Sequence, residues 1–414
     1  MDQRLEMLGE LETLRTSKLL KVALKIIMLT MFSVGGKQAW AIDVGGVSPT
    51  GIEDIERIRV KCITGGYEEV SYEDLRNNKV CENKTFVSFC HQRFSDSHSD
   101  VQRQQINHTV KVLKEYVNSD DCQEAYKRLR NLTFIAIQNQ QVVDLSPFTG
   151  LNKLRHLDLS HNHISDLSPL VQLKDLMILS VNANLITELK LLDMPRLRRL
   201  YISGNPLTSL TGLRGMFNLR RLVINNVGIA DYAGINSLEG LQHAEYLEHL
   251  EVVGVKLQDA SAVEPMRLLR HLNLSANALT AMPIIPSKYL RELDLSANQI
   301  SDLEFLATNR SLRRINFSDN QIKDLSVLDS LPYLVAVDFS DNTISDLSPL
   351  ASAYDLAAIN FQNNEVDDLT ALAHLHQLMM TGEEFSGNPI EASKSADNCP
   401  LYSVSDDLRT YCGT

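Results

Sequence analysis

The stretch LRHLDLSHNHISDLSPLVQLKD, residues 154–175, decides the fold of this chain. Leu157 and Leu159 alternate with His156, Asp158 and Ser160, the two-residue period of a short strand that buries one face. Asn162 follows where the chain must leave the strand, and its amide can satisfy backbone groups that the turn strands. Asp166-Leu-Ser-Pro-Leu170 then places a capping carboxylate before a short helical turn with proline near its first position. Leu154, Leu157, Leu159, Asn162 and Ile164 together spell L-x-x-L-x-L-x-x-N-x-I.

The same spelling recurs from Leu132 onward. The Asn slot returns at Asn184, Asn205, Asn277, Asn298, Asn320, Asn342, Asn364 and Asn388, and Gln140, Val227 and Val255 occupy it in the remaining copies, so twelve copies are expected, mostly 22 residues apart. Self-similarity at this period means a solenoid, with one strand per repeat in a parallel sheet. An acidic column stands four residues after the slot: Asp144, Asp166, Glu188, Asp231, Asp259, Asp302, Asp324, Asp346 and Asp368. A calcium-binding or basic-partner stripe is one reading of it. A repeated cap for the short turn after each strand is the better one.

The pattern resembles the leucine-rich-repeat family, and the Asp-Leu-Ser-Pro-Leu tail at 166–170 and 346–350 is similar to the 22-residue bacterial subclass typified by internalins. The resemblance covers roughly residues 130 to 390. It implies an α/β repeat solenoid: a curved parallel sheet, strands on the concave side, short 3₁₀ or irregular segments on the convex side. It also implies a binding module for other macromolecules.

The composition of the 414-residue chain is that of a folded protein, with 44% hydrophobic residues, 19 Gly and 12 Pro. A net charge of −12 argues against nucleic acid, which needs clustered Lys and Arg, and suits a basic ligand better. At the N-terminus Lys18, Lys21 and Lys25 precede the apolar run 26–34, and Ala39-Trp40-Ala41 supplies a small-x-small cleavage site. Residues 1–41 therefore read as a signal peptide, the apolar run being too short to span ~30 Å of hydrocarbon. Export to the periplasm or beyond the cell, with no stable membrane anchor, is the expectation.

Export agrees with six cysteines, none inside the repeats: Cys62, Cys81, Cys90, Cys122, Cys399 and Cys412. The expected pairing is Cys399 with Cys412 and two bridges among the first four, their partners left open. His91, His98 and His108 lie among the N-terminal cysteines, but without CxxC or HxxxH spacing no metal site or cofactor is expected. Residues 42–131 read as a mainly helical, disulfide-tied N-terminal cap: Ile106, Val110, Leu113 and Val117 share a helix face, and Asp120 or Asp121 caps a second helix through Leu129. The segment 62–98 is less legible, and a small separate binding domain there, or an enzyme concealed within residues 43–131, is the alternative. The repeats span 132–392, and 393–414 form a short C-terminal cap with a helix starting at Ser405. A bridge between Cys399 and Cys412 would be worth roughly 3 kcal/mol by chain entropy, and this arrangement resembles the C-terminal caps of extracellular leucine-rich repeats.

No catalytic constellation is present: no phosphate-cradling glycine loop, no G-x-S-x-G, no HExxH. Function is therefore sought on the outward strand positions six, four and two before the Asn slot. In the last repeats these are small or polar, such as Ala336, Asp338, Ser340, Ala358, Asn360 and Gln362. From the third repeat to the seventh they become Ile178, Arg199, Tyr201, Arg221, Val223, His249, Glu251, Val253 and His271, the residue types of an interface core. The spacing from Val227 to Val255 is 28 residues, so both of these repeats lose the Asn and the extra residues within 229–246 should bulge, with Tyr232 and Tyr246 flanking a recognition loop. The reading is a monomeric, non-enzymatic recognition protein that binds a protein ligand on its concave face. A structural envelope adaptor without a discrete site is the rival.

Overall fold

The computed structural model describes residues 41–43, 58–61, 67–70, 86–92, 98–190, 194–229, 232–392, 395, 397–399 and 405–413. Residues 1–40, Cys62, Cys81 and Asp231 lie outside the described residues. Contacts divide the chain into two compact units, 1–88 and 89–414. The first contains strands β1 (Ala41–Asp43), β2 (Ile58–Lys61) and β3 (Tyr67–Val70) in an antiparallel sheet, with Ala41 opposite Lys61 and Ile58 opposite Val70. Ala41, read from sequence as the last residue of the leader, is thus the first residue of β1.

Helix α1 (Phe86–Cys90) precedes the two cap helices α2 (Asp100–Tyr116) and α3 (Cys122–Leu129). A capping box starts α2: the Ser99 hydroxyl accepts from the Gln102 N–H at 3.2 Å, and the Gln102 side chain accepts from the Ser99 N–H at 3.0 Å. Asp121 caps α3 by accepting from the Glu124 N–H at 2.8 Å. Ile106, Val110 and Leu113 are buried as their spacing requires, while Val117 becomes the half-exposed C-cap of α2. The Cys90–Cys122 disulfide, Cα atoms 5.8 Å apart, ties α1 to α3. Thr109 fastens α2 to the first repeat by donating to the Asp144 carbonyl at 2.8 Å.

Eleven parallel strands follow, each hydrogen-bonded to the next in chain order: β4 (Phe134–Ala136), β5 (His156–Asp158), β6 (Ile178–Ser180), β7 (Arg199–Tyr201), β8 (Arg221–Asn225), β9 (His249–Val253), β10 (His271–Asn273), β11 (Glu292–Asp294), β12 (Arg314–Asn316), β13 (Ala336–Asp338) and β14 (Ala358–Asn360). The twelfth copy, ending at Asn388, keeps the Asn but forms a turn instead of a strand. In each strand the second residue, a Leu, Ile or Val, faces the core.

The Asn slot performs the role its chemistry suggests. Asn342 Nδ2 donates to the carbonyls of Phe317, Phe339 and Ser340 at 3.0, 3.0 and 3.1 Å, and Oδ1 accepts from the Ile322 N–H at 2.9 Å. One amide thereby joins the turn of its own repeat to the preceding repeat. The residue before the slot adopts left-handed backbone, as at His161, Ala183, Ala276, Ala297, Asp319, Asp341 and Asn363. Non-glycine residues there cost on the order of 1–3 kcal/mol each and persist only where surrounding structure enforces them.

The irregular fifth repeat does not simply lose this function. Asn226, one residue before the slot, is buried, donates to the Asn205 carbonyl and accepts from the Gly204 N–H, both at 2.8 Å. The extra residues of the 28-residue spacing also pack inward: Ile235, Leu238, Leu241 and Leu247 join the core, and Ser237 forms a parallel bridge with Asp259. Tyr232 is buried and its carbonyl accepts from Lys256 Nζ at 2.6 Å, so it cannot flank a recognition loop; Tyr246 is exposed. The apolar spacing 235-238-241 continues the repeat's own core pattern, which is why the insertion does not bulge free.

The acidic column acts as a cap one residue earlier than an N-cap. Asp144, Asp166, Asp259, Asp302, Asp324, Asp346 and Asp368 each accept, at 2.7–2.9 Å, from the N–H two residues on, at the start of the short turn. Toward the C-terminus Phe317, Phe339, Phe361 and Phe385, all fully buried, stack at 5.6, 5.6 and 6.0 Å between ring centroids. Helix α4 (Pro389–Ala392) and helix α5 (Asp406–Tyr411), the latter capped by Ser405 and closed by the Cys399–Cys412 disulfide, end the solenoid.

Two measurements probe this construction. Asn342→Ala orphans the buried Ile322 N–H and takes one of two donors from each of the Phe317, Phe339 and Ser340 carbonyls, which keep Asn320 Nδ2, Asn364 Nδ2 and the Asp319 N–H. Urea unfolding should show a loss of about 3 kcal/mol, since a buried orphan costs about 1–3 kcal/mol and each lost bond about 0.5–1.5 kcal/mol before relaxation. Burial alone would raise the Glu384 pKa, but hydrogen bonds from the Thr381 and Gly382 N–H groups and the Thr381 hydroxyl outweigh it and hold the carboxyl below its usual value. A depressed folded pKa means stability fully present above the unfolded value of about 4.3 and lost as pH falls through the folded value. Thermal unfolding between pH 6 and 3 should therefore show a steeper acid loss for the native chain than for Glu384→Gln.

Candidate recognition face

Because the strands are in register, each outward position becomes a row across the sheet. The row six before the Asn slot runs Phe134, His156, Ile178, Arg199, Arg221, His249, His271, Glu292, Arg314, Ala336 and Ala358, each the cross-strand partner of the next. With strands ~4.8 Å apart, side chains of one row touch their neighbours. The register therefore brings the expected residues together. Arg199 is exposed, and Ile178, Tyr201, Arg221, Val223, His249, Glu251 and His271 are half-buried. Val253 differs: at 7% exposure it is buried, because β8 and β9 pair over five residues and hold it in the ladder opposite Asn225. It offers no accessible apolar surface.

The sequence reading left out two parts of this face. Phe134, 47% exposed, meets the His156 ring edge-on at 4.8 Å, extending the aromatic zone to the first strand. At the other end the small Ala336 and Ala358 leave a hollow of about 580 Å³, floored by Leu293, Ile315, Val337 and Ile359 and walled by Glu292, Asp294, Arg314, Asn316, Asp338 and Asn360. Its polar groups are already held: Asp338 Oδ1 accepts from the Ser340 N–H at 3.0 Å and Oδ2 from Asn360 Nδ2 at 3.2 Å. The volume falls in the range of ligand-binding clefts. Two consecutive alanines in one row were the available signal.

Between these zones His249 and His271 are bonded to their neighbours. The His249 and His271 rings stack at 4.1 Å and 4°. His249 Nε2 hydrogen-bonds Glu251 Oε1, and His271 Nδ1 lies 2.9 Å from Glu292 Oε2, which also accepts through Oε1 from Arg314 at 2.9 Å. Burial pushes the His249 pKa down, and His271 and Arg221 push it further while Glu251 opposes them. The hydrogen bond from His271 is the main cause holding the Glu292 carboxyl below its usual range. His249, Glu251 and His271 also form the one group of potential metal donors among the described residues. At the N-terminal end, by contrast, Cys90 and Cys122 are consumed by their disulfide, and His108 Nε2 is bonded to the Gln140 carbonyl at 2.6 Å.

Family models described as leucine-rich repeats match residues 130–172 and 310–352, and a further one matches 287–303. Among solved structures, an internalin (inlF) from Listeria monocytogenes is similar at 24% identity and TM-score 0.62, over 68% of this chain and 82% of that one. The functional domain of InlJ from Listeria monocytogenes is similar at 18% identity and TM-score 0.52, over 70% of this chain and 71% of that one. The plant peptide hormone receptor RGFR1 in complex with RGF2 matches at 16% identity and TM-score 0.52, over 64% of this chain and 45% of that one. No curated protein sequence matches significantly. Among the described residues no helix is long and apolar enough to cross a membrane. The chain thus carries leucine-rich repeats, and its eleven-stranded parallel sheet is similar in fold to an internalin from Listeria monocytogenes.

Proposed function

We propose that the chain is an exported recognition protein that binds a protein ligand on its concave face. The observation that carries this reading is the unbroken outward row of Phe134, His156, Ile178, Arg199 and Arg221 with Tyr201 and Val223 beside it, large side chains on strands each hydrogen-bonded to the next. Aromatic, aliphatic and Arg residues on a rigid surface are what interface hot spots use. Strands β6 to β10 offer a strip roughly 20 Å long at ~4.8 Å per strand, enough for much of the ~800 Å² that one partner of a standard complex buries. Supporting this, leucine-rich repeats serve typically as non-enzymatic binding scaffolds, and the plant receptor of similar fold was solved in complex with RGF2. Export is supported by the leader-like segment 1–41 and by the Cys90–Cys122 and Cys399–Cys412 disulfides, which persist in oxidising compartments.

Two experiments test the two halves of the reading. Mass spectrometry of protein recovered from the periplasm and medium should find Ile42 as the N-terminus and no free thiol; a retained 1–41 segment overturns export. A pull-down from envelope and secreted fractions with residues 42–414 should return a protein whose affinity drops by about 2 kcal/mol for each of Tyr201→Ala and Arg221→Ala. Ala336→Trp, which fills the hollow without touching that strip, should leave affinity within about threefold. Loss only with the filled hollow would move the binding site to β11–β14.

A further inference from the structure

His249 and His271 are cross-strand partners in the β9–β10 register, and Glu251 stands two residues after the first. The stacked rings turn both Nε2 atoms toward a single oxygen, Glu251 Oε1: His249 Nε2 is bonded to it, and His271 Nε2 lies 3.7 Å away. His271 Nε2 is a buried atom with no hydrogen-bond partner. Such an orphan is uncommon and marks a place where a group is expected. Its tautomer is set from behind, because Nδ1 at 2.9 Å from Glu292 Oε2 must carry the proton and donate, which leaves the Nε2 lone pair pointing into the cluster. A carboxylate behind a histidine is the arrangement that orients metal-ligating imidazoles.

We propose that His249 Nε2, His271 Nε2 and the Glu251 carboxylate bind one Zn²⁺ ion. The donor atoms already lie within 4.8 Å of one another. Four-coordinate zinc with N and O ligands at ~2.0–2.2 Å sets donors about 3.4 Å apart, so side-chain tips need to close by no more than about 1.5 Å while the two rings tilt out of their 4° stack to aim both lone pairs at the ion. On binding, the His249 Nε2 proton moves to Nδ1 or to solvent, and Nε2 becomes a ligand. Arg221, the cross-strand neighbour of His249, opposes the added charge, whereas Glu251 and Glu292 favour it. Three protein ligands leave a fourth position, and the partial exposure of His249, Glu251 and His271 opens it toward the concave face. The ion binds the free chain, so the site does not depend on the recognition reading above.

Sequence spacing concealed this trio. The two histidines stand 22 residues apart and meet only because each occupies the same row position in adjacent repeats. The test is isothermal titration of the untagged, chelator-stripped chain with ZnCl₂, checked by visible absorption of the Co²⁺-loaded chain. The expected result is one Zn²⁺ per chain, with tetrahedral-type Co²⁺ bands. His249→Ala and His271→Ala should each abolish the stoichiometric site, while Glu292→Gln should weaken it by about 10–100-fold through loss of the orienting carboxylate. The double change His161→Ala, His163→Ala, on exposed turn residues, should leave it intact. Circular dichroism of each variant establishes that the solenoid is folded, and Glu292→Gln retains all three ligands should either alanine variant unfold. A chain that binds no Zn²⁺ at about 50 µM, where a site of micromolar Kd would be nearly full, overturns the proposal. So does a site that survives both His249→Ala and His271→Ala.

Discussion

Everything in the solenoid depends on one side-chain amide per turn. A strand of three residues makes too few backbone hydrogen bonds to hold itself, and the left-handed residue that ends each strand is unfavourable for any side chain. The Asn that follows satisfies carbonyls of two successive repeats and an N–H of the earlier one. Strand termination and repeat stacking are therefore a single event. In the regular repeats the two occur together, which is why self-similarity in sequence translates into register in space.

That coupling also explains how the chain tolerates its own irregularities. Where the fifth repeat carries Val227 in the slot, Asn226 reaches the preceding repeat from one position earlier, at the Asn205 carbonyl and the Gly204 N–H. At the sixth, Asn277 of the following repeat makes the bonds that any slot Asn makes to the repeat before it, accepting from the Val255 and Leu257 N–H groups at 3.0 Å each, so that side of the irregular pair is tied as usual. Gly254, left-handed at φ +66°, is needed there because a Cβ would fall 2.6 Å from Val227 Cγ2. With both sides of the irregular pair tied, six extra residues are absorbed as added core instead of displacing the sheet.

The repeat, its parallel sheet, the capped helices and the C-terminal bridge were legible because each rests on a local pattern: a two-residue alternation, a Ser or Asp before a helical run, a pair of cysteines flanking a short helix. What was not legible rests on relations between repeats. Val253 obeys the outward spacing yet is buried, since its exposure is decided by how far β8 and β9 continue to pair. Tyr232 lies in the longest spacing yet is buried, since Ile235, Leu238 and Leu241 draw that segment into the core. The antiparallel sheet of β1 to β3 escaped because its strands are only three or four residues long, and the alternation of Ile58-Arg-Val-Lys61 is not repeated in β3.

The concave surface follows a different logic from the core. Core positions are interchangeable among Leu, Ile, Val and Phe because only volume and apolarity are asked of them. Outward positions are free of that demand, and the register converts each choice into a neighbour for the next choice. Placed singly, His249, Glu292 and Arg314 would be solvated surface groups. Placed consecutively with His271 in one row, they form a chain of contacts in which Glu292 is shared between His271 and Arg314. Two alanines after Arg314 then end the chain in a hollow. Chemistry on this face is thus written 22 residues at a time, one repeat apart, and a row of the solenoid, rather than a contiguous motif, is the unit in which its specificity is composed.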